Sequence, residues 1–159
     1  MDDLLPMPEP LNLSGFLPYQ LSVLQARLSH QIGGYYRNAF GLSRNGWRVM
    51  AALAMQPGMN AREVGQFVEL EKMPVSRAVK ELEARGWISA GVQQQDRRAS
   101  QLRLTARGRK VYEQIVPELL VREQQVMSVL SADERAALEQ ITGKLLAHLS
   151  VPANSQTPE

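Results

Sequence analysis

The chain has 159 residues, 44% of them hydrophobic and 21% charged, which suits one packed domain or two small fused ones. It contains no cysteine, which excludes disulfides, thiolate metal sites and thiol redox sensing. No stretch approaches the roughly 20 apolar residues of a membrane span, and the opening Met-Asp-Asp lacks the basic and apolar pattern of a secretion signal. A cytoplasmic protein without membrane contact is therefore expected. The net charge of +2 hides an uneven distribution. Between Arg44 and Lys110 stand 13 lysines and arginines against 6 acids, a balance of +7; the remainder holds 5 against 10, a balance of −5. A basic middle between acidic ends suits a module for a polyanion, flanked by segments with another task.

Residues 1–16 carry three prolines and no period, and read as a flexible arm. Pro18 suits the first position of a helix striped by Leu17, Leu21, Leu24, Leu28 and Ile32, then Tyr35, Tyr36 and Phe40. Gly33-Gly34 interrupts that stripe and marks a close approach, room beside a pocket, or a kink. Ser43 caps a second helix to about Met55, with Trp47, Met50, Ala51 and Ala54 inward. Gln56-Pro57-Gly58 is a break. Asn60 and Glu63 make a capping box for a third helix with Val64, Phe67, Val68 and Leu70 apolar. Pro74 opens a fourth, whose buried stripe is Val75, Ala78, Val79 and Leu82 and whose stop is Gly86.

The period then changes. Trp87, Ile88 and Val92 are β-prone, and Gln101–Thr105 alternates with period two. The polar stretch 93–100 between them, with Arg97 and Arg98, makes a hairpin projecting into solvent. From Ala106 the helical period returns, with Val111, Ile115, Leu119 and Leu120, and Pro117 is expected to bend or divide that helix. Ser131 and Glu134 box a last helix striped by Leu138, Ile141, Leu145 and Leu149; the tail 150–159 reads as disordered.

Helix, break, helix, helix and a hairpin with a basic loop is the order of a winged helix-turn-helix, mainly α with a small β-hairpin. A major groove about 12 Å wide admits one helix. The fourth helix and its lead-in supply the DNA-contact candidates Lys72, Pro74, Val75, Ser76, Arg77 and Lys80. Arginine bonds guanine bidentately, and serine and lysine reach bases or phosphates. The loop adds Arg97 and Arg98, cations suited to a narrow minor groove. Asp96 beside them either orients an arginine or favours the turn.

Val75-Ser76-Arg77, Leu82 through Ile88, Asp96 through Ala99, Leu102 through Gly108 and Trp47 through Met50 together resemble the recognition helix, wing and second helix of MarR (multiple antibiotic resistance regulator) proteins. The resemblance covers about residues 17–149. Gly46 departs from it, standing where related sequences often carry a larger residue, and Met73-Pro74 is an unusual opening for the recognition helix. The resemblance implies a homodimer interlocked through helices at 17–42 and 107–149, and a DNA-binding domain at 43–106. It also implies a wing whose Arg98 enters the minor groove oriented by Asp96, and a ligand pocket between the halves of each subunit. His30, Tyr36, Arg44 and Trp47 fall at that junction, and a small aromatic acid or phenolic effector is the expectation. Tyr35 and Tyr36 point about 100° apart on a helix, so both cannot line one wall.

The expected function is sequence-specific regulation of transcription, as a repressor released from a pseudo-palindromic duplex by its effector. An architectural DNA-binding protein and a winged-helix protein-interaction module are the alternatives. Two histidines, His30 and His148, no phosphate-binding glycine loop and no metal-ligand cluster argue against an enzyme, and no cofactor is implied.

Overall fold

A computed structural model describes residues 10–91 and 100–150. Asp96, Arg97 and Arg98 lie outside the described residues. The order is a 3-10 turn (Leu13–Gly15), α1 (Leu17–Phe40), α2 (Arg44–Met55), α3 (Ala61–Phe67), α4 (Lys72–Ala84), β1 (Ile88–Gly91), β2 (Gln101–Leu104), α5 (Ala106–Met127) and α6 (Ala132–Leu149). Contacts divide the chain into two units, Met1–Arg122 and Glu123–Glu159.

Local chemistry sets most boundaries in the first unit. The Ser43 hydroxyl accepts from the Gly46 N–H and starts α2, while Asn60 and Glu63 close a reciprocal capping box on α3. Gly86, at φ 67°, turns the chain out of α4. The strands pair antiparallel, Ile88 opposite Leu104 and Gly91 opposite Gln101. The other edge of β2 is held too: Gly58 N–H donates to the Leu102 carbonyl and Leu102 N–H to the Met59 carbonyl, both at 2.9 Å. The hairpin root is thus anchored in the helical body on both sides. Val49, Met50 and Leu53 of α2, Val64 of α3 and Val75, Ala78 and Leu82 of α4 bury against one another, with Ile88, Leu102 and Ile115 closing the core.

Several boundaries differ from the sequence expectation. The segment read as an arm holds the 3-10 turn, where the Asn12 side chain accepts from Gly15 N–H at 3.3 Å. α1 runs unbroken through Gly33-Gly34 and α5 through Pro117. α4 begins two residues before Pro74, at Lys72. Pro74 is then third in the helix, where an N–H has no intrahelical acceptor to lose. Of the apolar positions of α3, Val64 is buried in the core and Phe67 is 47% exposed. Thr105 leaves the strand: its hydroxyl accepts from Gly108 N–H at 3.0 Å and donates to the Gly86 carbonyl at 2.7 Å, fixing the start of α5.

In the second unit Ser131 and Glu134 form the expected capping box on α6. Hydrogen bonding to Ser131 holds the Glu134 carboxyl below its ordinary range. α6 buries no residue, and its Leu138, Ile141, Leu145 and Leu149 are exposed. Leu17, Leu21 and Leu24 of α1 are likewise about half exposed.

The first turn of α5 crosses the Trp87 backbone so closely that a Cβ on Gly108 would lie 1.9 Å from the Trp87 carbonyl oxygen. Gly108→Ala must push helix and hairpin apart, and should cost at least ~1–3 kcal/mol in urea unfolding. Unchanged stability would mean that this crossing is looser than described.

Candidate nucleic-acid interface and aromatic joint

Helical spacing sorts the side chains of α4. Val75, Ala78 and Leu82 point into the core. Val75, at 2% exposure, packs near Gly65 and seats the helix at the floor of the groove between α3 and α4. On the other side Met73, Arg77 and Lys80 are exposed, with Ser76 half-buried and Pro74 partly covered. Lys72, Ser76 and Lys80 line a groove between α3 and α4 with Arg62 and Gln66. Arg77 stands outside it, on the exposed crest.

Arg62 and Gln66 were not among the sequence candidates. Their signal was present: they are four apart on α3, clear of Val64 and Val68. Glu69, Glu71 and Glu83 also line the groove, so three cations face three carboxylates there. The sole salt bridge among the described residues is elsewhere, between Arg85 and Glu81. Glu69, at φ 50°, makes the tight turn between the two helices.

The four expected pocket residues do not form one pocket wall. Tyr36 is buried and stacks on Trp47, with centroids 5.7 Å apart and planes 20° from parallel. Trp47 stacks in turn on Tyr112 of α5, at 5.6 Å and 15°. Three rings thus join α1, α2 and α5, and Tyr112 was missed because nothing in its own helix marks it. Gly33 leaves the space that the Tyr36 hydroxyl fills. The Arg44 guanidinium lies against the Gln25 amide, whose oxygen accepts from Nη1 at 2.9 Å. His30 is exposed, and its carbonyl accepts from Arg37 at 2.8 Å. Trp87 is a core aromatic, as expected, and Trp47 is partly buried at the joint.

Among known sequences, the MarR family matches residues 40–99, which carry α2 to the hairpin. Over these residues the chain is similar to the MarR family. The transcriptional repressor MprA of Escherichia coli K12 is 40% identical over 74 residues, 46% of this chain and 42% of the relative, so the match spans about two fifths of its length. The PcaV transcriptional regulator of Streptomyces coelicolor, solved with its natural ligand, is 25% identical with a TM-score of 0.73, over 89% of this chain and 98% of its own. The transcriptional repressor CouR, solved on a 23-mer DNA duplex, is 24% identical with a TM-score of 0.76, over 84% of this chain and 94% of its own. These relatives are regulators, not enzymes. No helix among the described residues is long and apolar enough to cross a membrane.

Burial holds the Tyr36 hydroxyl above the ordinary tyrosine value of 10.0, against the opposing charges of Arg37 and Arg44. The unfolded chain therefore gives up this proton first. The stability tied to neutral Tyr36 is complete below pH 10 and is lost as pH rises through the folded value. Tyr36→Phe should reduce the alkaline loss of stability, measured by urea unfolding between pH 9 and about 11.5. An identical pH profile in the variant would show that the hydroxyl meets solvent.

Proposed function

We propose that this protein is a dimeric, sequence-specific DNA-binding regulator of transcription, acting as a repressor. The observation that carries the reading is the arrangement of α3 and α4. They expose Arg62, Gln66, Lys72, Ser76, Arg77 and Lys80 together, beside a hairpin anchored in the same body. Hydroxyl, amide and guanidinium groups on a helix face are suited to base edges. Lys72 and Lys80 are suited to phosphates. Arg98 as a minor-groove cation and Asp96 as its orienting acid belong to the same proposal, as does Arg97. The exposed apolar side chains of α1 and of α6 support a homodimer, since each would otherwise leave apolar surface in water. Two-fold symmetry would present two recognition helices to one duplex.

Selection of the full chain against a random duplex pool tests this. A pseudo-palindrome with half-sites ~10 base pairs apart should emerge. Light scattering should give a particle of twice 17.8 kDa. Arg77→Ala should lose ~1–3 kcal/mol and relax preference at one base pair. Equal affinity for random DNA would favour an architectural protein, and absence of DNA binding a protein-interaction module.

A small aromatic acid or phenol is the proposed effector. Its support is the aromatic joint, which links α1 to the DNA-binding helices, with Arg44 at its edge and a liganded fold relative in PcaV. Benzoates or phenols should weaken duplex binding by about 5–150-fold, the usual range of coupling. Affinity unchanged across such a panel would remove the effector and leave the DNA reading standing.

A further inference from the structure

The recognition helix is bonded to the end of α1 as well as packed on its neighbours. Glu81 of α4 accepts the Ser43 backbone N–H at 2.9 Å on one carboxylate oxygen and the Ser43 hydroxyl at 2.5 Å on the other. That hydroxyl also accepts from Gly46 N–H at 2.9 Å. One turn along α4, Arg85 donates from Nη1 to the Phe40 carbonyl at 2.6 Å and from Nη2 to the Gly41 carbonyl at 2.7 Å. Phe40 is the last residue of α1 and Gly41 its left-handed cap. Glu81 and Arg85 lie 3.7 Å apart, and the guanidinium sits 4.8 Å over the Trp87 ring. Four directed bonds therefore run from α4 to the joint between α1 and α2.

Gly46 makes room for this junction. A Cβ there would come within 2.9 Å of the Glu81 carboxylate and 2.7 Å of Leu42 Cδ1. By helical spacing Glu81 and Arg85 occupy the flank of α4 away from the α3 groove, so the junction is separate from the groove, while Arg77 stands one turn before Glu81 on the same flank. Apolar packing alone is non-directional. Charge-assisted hydrogen bonds from two successive turns fix an angle.

The angle matters because α4 has 13 residues and so is about 20 Å long. A tilt of about 10° about one end moves the other by roughly 3 Å, close to the ~3.4 Å rise of one base pair.

We propose that Glu81 and Arg85 are positioning residues that lock the angle of the recognition helix to the end of α1, and thereby set the half-site spacing that the dimer accepts. The proposal rests on the DNA-binding, dimeric reading above. Its test uses the full chain and the duplex recovered by selection, together with versions lengthened and shortened by one base pair between the half-sites. Wild type should disfavour both altered duplexes at least about tenfold, comparable to one mismatched pair. Glu81→Ala and Arg85→Met should bring the three affinities within about threefold of one another, and Glu81→Gln, which keeps an acceptor for Ser43, should retain most of the preference. A merely structural loss lowers all three affinities by one factor and leaves their ratios intact. Thermal unfolding identifies folded variants, and Arg85→Lys replaces Arg85→Met if the latter does not fold. Unchanged ratios in folded variants overturn the proposal and leave the DNA reading in place. Failure of wild type to select any duplex overturns that reading, and this inference with it.

Discussion

The stacked rings of Tyr36, Trp47 and Tyr112 are the interaction on which the rest of the first unit hangs. One ring comes from each of α1, α2 and α5, and the last is far from the other two in sequence. Aromatic pairs contribute about 0.5–1.5 kcal/mol beyond the area they bury, so stability alone is a modest part of their effect. Their larger effect is geometric. Flat rings slide and tilt only at the cost of contact, so α2 is held between its two neighbours at a defined spacing. α2 in turn supplies Val49, Met50 and Leu53 to the core on which α3 and α4 rest. A displacement of Trp47 is therefore felt by α4 through packed side chains.

The sequence was most informative where one short segment decides its own conformation. Ser43, Asn60-Glu63 and Ser131-Glu134 start helices by bonds closed within three or four residues, and each start was legible. Long-range geometry was not. The continuity of α1 through Gly33-Gly34 depends on where the Tyr36 ring lies, and the close crossing of α5 over the Trp87 backbone depends on the glycine at 108. Pro74 misled in a different way. Proline is accepted anywhere in a first turn, so it marks a helix start only to within a few residues.

The candidate site divides along the same line. Ser76, Arg77 and Lys80 follow from the apolar stripe of α4, since a helix with one face buried must present the other. Arg62 and Gln66 required the neighbouring helix to be in place before they met the groove. The proposed effector pocket was the least legible part. The family resemblance implied that Tyr36, Arg44 and Trp47 lie near one another, as they do, but only coordinates show Tyr36 and Trp47 face to face and Arg44 against Gln25. His30 stands apart, because its ring is exposed.

Charge suggests a division of labour between attraction and reading. The α3–α4 groove carries as many carboxylates as cations, so it exerts little net pull on a polyanion. The segment from Arg44 to Lys110 as a whole nevertheless carries +7, while the residues outside it carry −5. Attraction must then arise from cations spread over the basic segment, and it acts within a screening length of about 8 Å at physiological salt. Outside that segment acids outnumber cations, so those residues add no net attraction to a polyanion. Close in, Glu69, Glu71 and Glu83 penalise any pose that brings a phosphate into the groove. Ser76 and Gln66 are then best satisfied by base edges, with Lys72 and Lys80 left to phosphates at the rim. Acids beside a reading surface weaken non-specific binding more than matched binding, and discrimination is the difference between the two.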